Sequence, residues 1–158
     1  MGQRVSASLI EQFERMWGSL REATENFSDE KWRRSEIAYL VPASLAMHTI
    51  ETTEFYIGDL PGDKFPWGRL GGDWDGRDPA KWPGQERMAE YLEEVREKTR
   101  AWLMRLEDEA WFGPAGWCEW TGKTMLDRAL YMLRHAQHHL AQLNVELRRA
   151  GLKPAEWA

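Results

Sequence analysis

Three stretches of this chain repeat apolar residues at intervals of three and four, and that period dictates helices. Residues 6–25 carry Leu9, Ile10, Phe13, Met16, Trp17 and Leu20 on one face. Residues 85–108 carry Met88, Tyr91, Leu92, Val95, Trp102, Leu103 and Leu106. Residues 123–150 carry Leu126, Leu130, Leu133, Leu140, Leu143 and Leu147, with Gly151 placed to end that helix. A fourth helix opens at Pro42, a residue suited to a first helical turn, and runs to Gly58. Each amphipathic helix must bury its stripe against another, and no segment reads as a credible sheet. The expectation is therefore an all-α fold, a four-helix bundle over residues 1–158 as a single domain.

The connections are uneven. Ser28 stands where it would cap a short helical piece. The run IAYLV, residues 37–41, is apolar enough for a strand but has nothing to pair with, so it reads as an extended connector. Residues 59–83 show no period and are rich in Gly, Pro and Asp, with Trp67, Trp74 and Trp82 among them. Their length suits a long crossover loop between helices 2 and 3. Loops that long in compact domains are usually functional or mobile, and the tryptophans argue that this one packs.

A net charge of -5 disfavours nucleic acid, which needs a concentrated basic face. No apolar run approaches the roughly 20 residues of a membrane span. The opening MGQRVSASLIEQF lacks the apolar region of a signal peptide, and one cysteine, Cys118, permits no internal disulfide. A cytoplasmic location is the expectation.

The chemistry-bearing residues are four histidines. Three lie in RHAQHHL, residues 134–140, and the fourth is His48. On a helix His135 points with His139 and also with His138. Measured from Leu147 on the leucine stripe at 100° per residue, His139 lies about 80° away, His135 about 120° and His138 about 180°. His138 thus faces solvent, and the other two flank the buried side. His48 shares a largely apolar face with Ser44, Leu45, Glu51, Thr52 and Phe55. If the two helices are neighbours, three neutral imidazoles meet, leaving an open position of the catalytic type for zinc, nickel or another divalent transition metal. The plainer reading is a hydrogen-bonded core histidine beside a chance HxxxH pair. Glu51, one turn from His48, would orient the site, accept a proton or add a ligand; otherwise it is an exposed helix residue. Gln142 is either a holder of a ligand water or a solvated amide. Trp67, Trp74, Trp111, Trp117 and Trp120 are candidates for a pocket wall or for ordinary packing.

Other motifs fail. There is no HExxH, and His48-x-x-Glu51 reverses the order that di-iron bundles use. TGKT, residues 121–124, lacks the upstream glycine and strand of a phosphate loop. GGDWDGRD, residues 71–78, has its glycine misplaced for a calcium loop and lacks the closing glutamate. Cys118 reads as a packed, unreactive thiol.

A histidine in the second helix followed by RHAQHHLAQL in the fourth resembles the DinB/YfiT-like superfamily. The likeness is most specific at residues 134–143 and elsewhere rests on helix length and order. It implies a four-helix bundle with a crossover after helix two. It further implies one divalent metal on His48, His135 and His139, with His138 a bystander. The metal would be zinc or nickel, with iron or manganese as alternatives. Relatives are described as metal-dependent hydrolases or as S-transferases that use a low-molecular-weight thiol, and as homodimers. The implied function is activation of a water or a thiol against a small-molecule substrate; Glu51, by its own place one turn from His48, is the candidate catalytic carboxylate. The competing reading is a non-catalytic helical module that binds a small ligand or protein partner through its tryptophan-rich loops. Three histidines without a nearby cysteine argue against a purely structural zinc.

Overall fold

The structure, a computed structural model, describes residues 2–71 and 78–157. It is all-helical, with no strand among the described residues. Five α-helices form: α1 (Arg4–Glu25), α2 (Asp29–Trp32), α3 (Pro42–Ile57), α4 (Gln85–Met104) and α5 (Met125–Arg149). The fifth is the short α2, at the position of the Ser28 piece. Ser28 occupies its N-cap, but the side chain makes no cap bond; its carbonyl instead accepts from the Lys31 and Trp32 amides.

Two boundaries depart from the apolar period. IAYLV is not extended throughout, since Ala38–Leu40 form a 3-10 turn. Ile37 and Leu40 pack against the core there, which a straight segment would not allow both to do. Helix α4 stops at Met104 rather than near 108. The Asp108 carboxylate accepts from the Val5 amide at 2.9 Å, so the end of this stretch caps α1 instead of continuing α4.

Helix α1 packs on α4 and α5, and α3 packs on the same two. The partners fix the directions. Gln85 of α4 donates to the Thr24 carbonyl near the end of α1, and Gln3 donates to the Met104 carbonyl, so α1 and α4 are antiparallel. The C-terminal ends of α1 and α5 meet, because Asn26 donates to the Lys153 carbonyl and Ser19 to that of Glu156. On α3 and α5, His48 lies by His139 while Tyr56 lies by Tyr131, so that pair is antiparallel. It follows that α3 and α4 run parallel. Ile57 and Gln85 therefore stand at opposite ends of the helices, roughly 24 Å apart at 1.5 Å per residue of α3.

The core is continuous between these helices, with Met16, Trp17, Leu20, Met47, Ile50, Met88, Leu92, Leu103, Leu143 and Leu147 buried. In the first half of α5 the leucine stripe is misplaced. Leu130 is 48% exposed, and Ala129, Met132 and Ala136 face the core instead.

Both ends of α5 are fixed locally. Thr124 Oγ1 accepts from the Asp127 amide and Asp127 Oδ2 accepts from the Thr124 amide, a reciprocal cap. This is the structural use of TGKT. Gly122 has φ +139°, and a Cβ there would stand 2.2 Å from that of Asp127, so only glycine fits. At the other end Gly151, φ +72°, turns the chain so that the Leu152 amide reaches the Leu147 carbonyl at 2.8 Å.

Candidate metal centre

Helices α3 and α5 bring His48, His135 and His139 together. One ligand nitrogen from each lies within 4.8 Å of the others. Ring centroids are 4.7 Å apart for His48 and His139, 5.1 Å for His48 and His135, and 4.6 Å for His135 and His139. His138 points outward and is exposed, as the helical phase requires. The three rings are partly buried.

The donor set fits a cation. His139 Nε2 and His135 Nε2 face each other at 3.2 Å. Two imidazole nitrogens bound at 2.0–2.1 Å in a tetrahedral site stand about 3.4 Å apart. The protonation state fits as well. Burial, with the other two imidazoles adding repulsion, pulls His48 down to about 3. Burial and the same kind of repulsion pull His135 down to about 4. Burial also lowers His139, opposed by its bond to Gln142. All three rings are therefore neutral, ligating imidazoles at neutral pH.

This has a stability consequence for the metal-free protein. Unfolded imidazoles take up protons as pH falls through 6.5, whereas folded His48 resists until about 3 and folded His135 until about 4, so His135 titrates first of the two. Stability is thus full above 6.5 and lost as pH drops below it. The expected loss between pH 6.5 and 5 is about 1–2 kcal/mol per imidazole. Urea unfolding of chelated protein at pH 7, 6 and 5 checks this. A His48→Gln, His135→Gln double variant should have a visibly flatter profile over that window, and an equally steep one would contradict it.

Around the rings stand groups that fix them. Gln142 Oε1 meets His139 Nδ1 at 2.7 Å. The Gln142 side-chain amide is therefore engaged with the imidazole. Thr52 Oγ1 donates to the His48 carbonyl at 2.6 Å and lies 3.5 Å from His135 Nδ1. Sequence reasoning placed Thr52 on the His48 face but gave it no role. The signal was its position, four residues after His48.

Glu51 is buried rather than exposed. Its Oε1 accepts from the Gly68 amide at 2.6 Å, which ties the returning loop to α3. Its Oε2 has no hydrogen-bond partner among the described residues. Burial raises its pKa, against the lowering effect of the Gly68 and Arg69 amides. Arg69 continues the attachment through Glu94 at 3.0 Å and Glu54 at 3.4 Å. Glu51 is not one of the three clustered ligands.

The tryptophans divide. Tyr131 stacks on His135 at 6.1 Å and 13°, and Tyr56 lies 6.4 Å from the same ring. Trp120 is 58% exposed and donates from Nε1 to the Tyr56 hydroxyl at 3.4 Å. Trp117 and Trp67 pack on Phe55, one turn beyond Glu51. Trp111 belongs elsewhere: it is fully buried, T-shaped to Trp102, and donates to Ser6 Oγ at 2.9 Å on the α1 side. It is a core residue because Ser6 offers its indole N–H a partner. Trp74 and most of GGDWDGRD lie outside the described residues. Cys118 is buried, and burial raises its pKa, which keeps the thiol protonated.

With the triad placed, comparison with known families becomes decisive. The model of the DinB superfamily matches residues 12–143, a span that holds all three clustered histidines. The chain belongs to the DinB superfamily. No curated protein matches it. In this DinB-superfamily chain the three histidines form a group that could hold a divalent metal. No helix among the described residues is long and apolar enough to cross a membrane.

Proposed function

We propose that this chain is a metal-dependent enzyme that activates a water or a low-molecular-weight thiol for hydrolysis or S-transfer on a small-molecule substrate. One observation carries the reading: three neutral imidazoles with ligand atoms within 4.8 Å, drawn from two helices. A divalent cation bound there, zinc or nickel before iron or manganese, would lower the pKa of a neighbouring water or thiol toward neutrality. His48, His135 and His139 would hold it. Residues 1–158 are read as one domain, with the four long helices as its bundle and residues 59–83 as the crossover. A cytoplasmic homodimer completes the proposal, and sedimentation of the purified protein tests the dimer.

Glu51 is the proposed acid–base residue. Its unpartnered Oε2 and a pKa pushed up by burial suit a group that accepts a proton. Gly68 holds the other oxygen, so the carboxylate keeps one orientation. Tyr56, Tyr131 and Trp120 offer an apolar wall beside His135 for the body of a substrate.

The test is turnover of an electrophilic substrate by metal-loaded protein, with and without added thiol. Thiol-dependent turnover supports transfer, and turnover that ignores thiol supports hydrolysis. Absence of metal in the purified protein, and of uptake on titration, removes the proposal and favours the non-catalytic module. Glu51→Gln keeps an acceptor for Gly68, so its effect isolates the proton-accepting role. The expected loss in kcat is about 100-fold or more, with metal content unchanged.

A further inference from the structure

Each imidazole can present either ring nitrogen to a cation, and the fold has to choose. The choice is made by whatever binds the opposite nitrogen. For His139 that group is the Gln142 side-chain oxygen, 2.7 Å from Nδ1. An oxygen acceptor there requires a proton on Nδ1 and leaves the lone pair on Nε2. For His135 the group is the Thr52 hydroxyl, 3.5 Å from Nδ1. That hydroxyl has one proton, and the His48 carbonyl at 2.6 Å takes it. Thr52 can therefore only accept from His135, which again places the proton on Nδ1. Both Nε2 lone pairs then converge across 3.2 Å. Two acceptors at that separation repel unless a cation lies between them.

We propose that Gln142 and Thr52 are positioning residues that set the tautomers of His139 and His135, so that the Nε2 atoms of both rings face one cation. Gln142 sits on the same face of α5 as its histidine, three residues on, and holds the ring from within its own helix. Thr52 acts across the helix interface. Because its hydroxyl is bonded to the backbone of His48, the ring on α5 is referenced to the α3 turn that carries the third imidazole. The interface thus selects the ligating atoms as well as the distance between helices. This inference rests on the metal-site reading, but its first test needs no metal.

Long-range 15N–1H correlation spectra of the chelated protein at pH 8 report the tautomer of each ring directly. A protonated Nδ1 on His139 and on His135 is expected. A protonated Nε2 on either ring overturns the assignment for that ring, whatever the metal does. The second test is Zn2+ affinity by competition with a chromophoric chelator. Gln142→Met removes the acceptor with similar volume and should weaken binding about tenfold to a hundredfold. Gln142→Glu can only accept, so it should restore or exceed wild-type affinity. If Gln142→Glu binds as weakly as Gln142→Met, the amide has been donating its N–H and the proposal fails. Thr52→Val should weaken binding and Thr52→Ser should rescue it; equal affinity of both with the wild type removes Thr52 from the assignment. Wild-type protein that takes up no Zn2+ while showing the expected tautomers would defeat the metal reading and leave the tautomer assignment standing.

Discussion

Protein carrying His48→Ala is expected to emerge from purification without its metal. Three imidazoles supply every clustered ligand of the site, and His48 is the sole contribution from α3. Loss of a group that merely orients a ligand costs about tenfold to a hundredfold in affinity, so loss of a ligand itself should exceed about a hundredfold. His139→Ala should behave alike. His138→Ala should leave affinity unchanged, because that ring is exposed and outside the cluster although its centroid is only 5.1 Å from that of His139. Elemental analysis and Zn2+ titration of the three variants decide the matter. Folding is checked by helical circular dichroism, since His48→Ala also removes partly buried volume between α3 and α5. The reverse pattern, metal lost in His138→Ala and kept in His139→Ala, would show that the wrong member of the HxxxHH run had been assigned inward.

The histidine pair was legible because helical phase is a local property. Its accuracy was nevertheless limited by the reference chosen. The leucines of α5 do not mark the interior along its whole length: Leu130 is exposed and Ala129, Met132 and Ala136 are buried. Hydrophobicity ranks leucine above alanine, whereas close helix packing selects the smaller residue. Taking Ala129, Met132 and Ala136 in place of Leu147 turns the inward direction by roughly 25° toward His135 and His139, and His138 still points outward. What sequence could not supply were contacts between distant segments. An exposed Glu51 stayed open as the alternative to a catalytic one because its cover, the Gly68 amide, lies 17 residues further along the chain. Trp111 read as a wall candidate because nothing local announces that Ser6 will meet its indole. The end of α4 was overextended because Asp108 is drawn away to cap α1.

Arg128 is the clearest case of a residue that only the fold explains, and its removal should be the most destabilising single change. The helix sequence MLDRALYM offers no hint that its arginine is internal, yet Arg128 is 3% exposed. Burial pulls its pKa down, with Cys118 and Asp59 opposing, but a guanidinium remains charged. The charge is met by carbonyls and rings. One terminal nitrogen donates to the Tyr56 carbonyl and, at 2.8 Å, to that of Gly58; the other donates to Ala115 at 3.3 Å. Its carbon lies 5.6 Å from the Trp102 ring and 5.3 Å from that of Trp117. Tyr56 and Gly58 are at the C-terminal end of α3, where unpaired carbonyls and the helix dipole favour a cation. Arg128 therefore closes α3 one turn beyond Thr52, and it pins the 115–117 segment to the same point. Arg128→Met fills similar space but abandons three carbonyls, so a loss of about 3–5 kcal/mol is expected in urea unfolding. Arg128→Lys should recover only part of it, because a single ammonium cannot reach all three acceptors in the geometry of a planar fork. With metal chelated throughout, the loss should be the same in protein carrying His48→Gln. A destabilisation under about 0.5 kcal/mol for Arg128→Met, the range of an ordinary surface change, would mean that the carbonyls find other partners and that the arginine is dispensable to the end of α3.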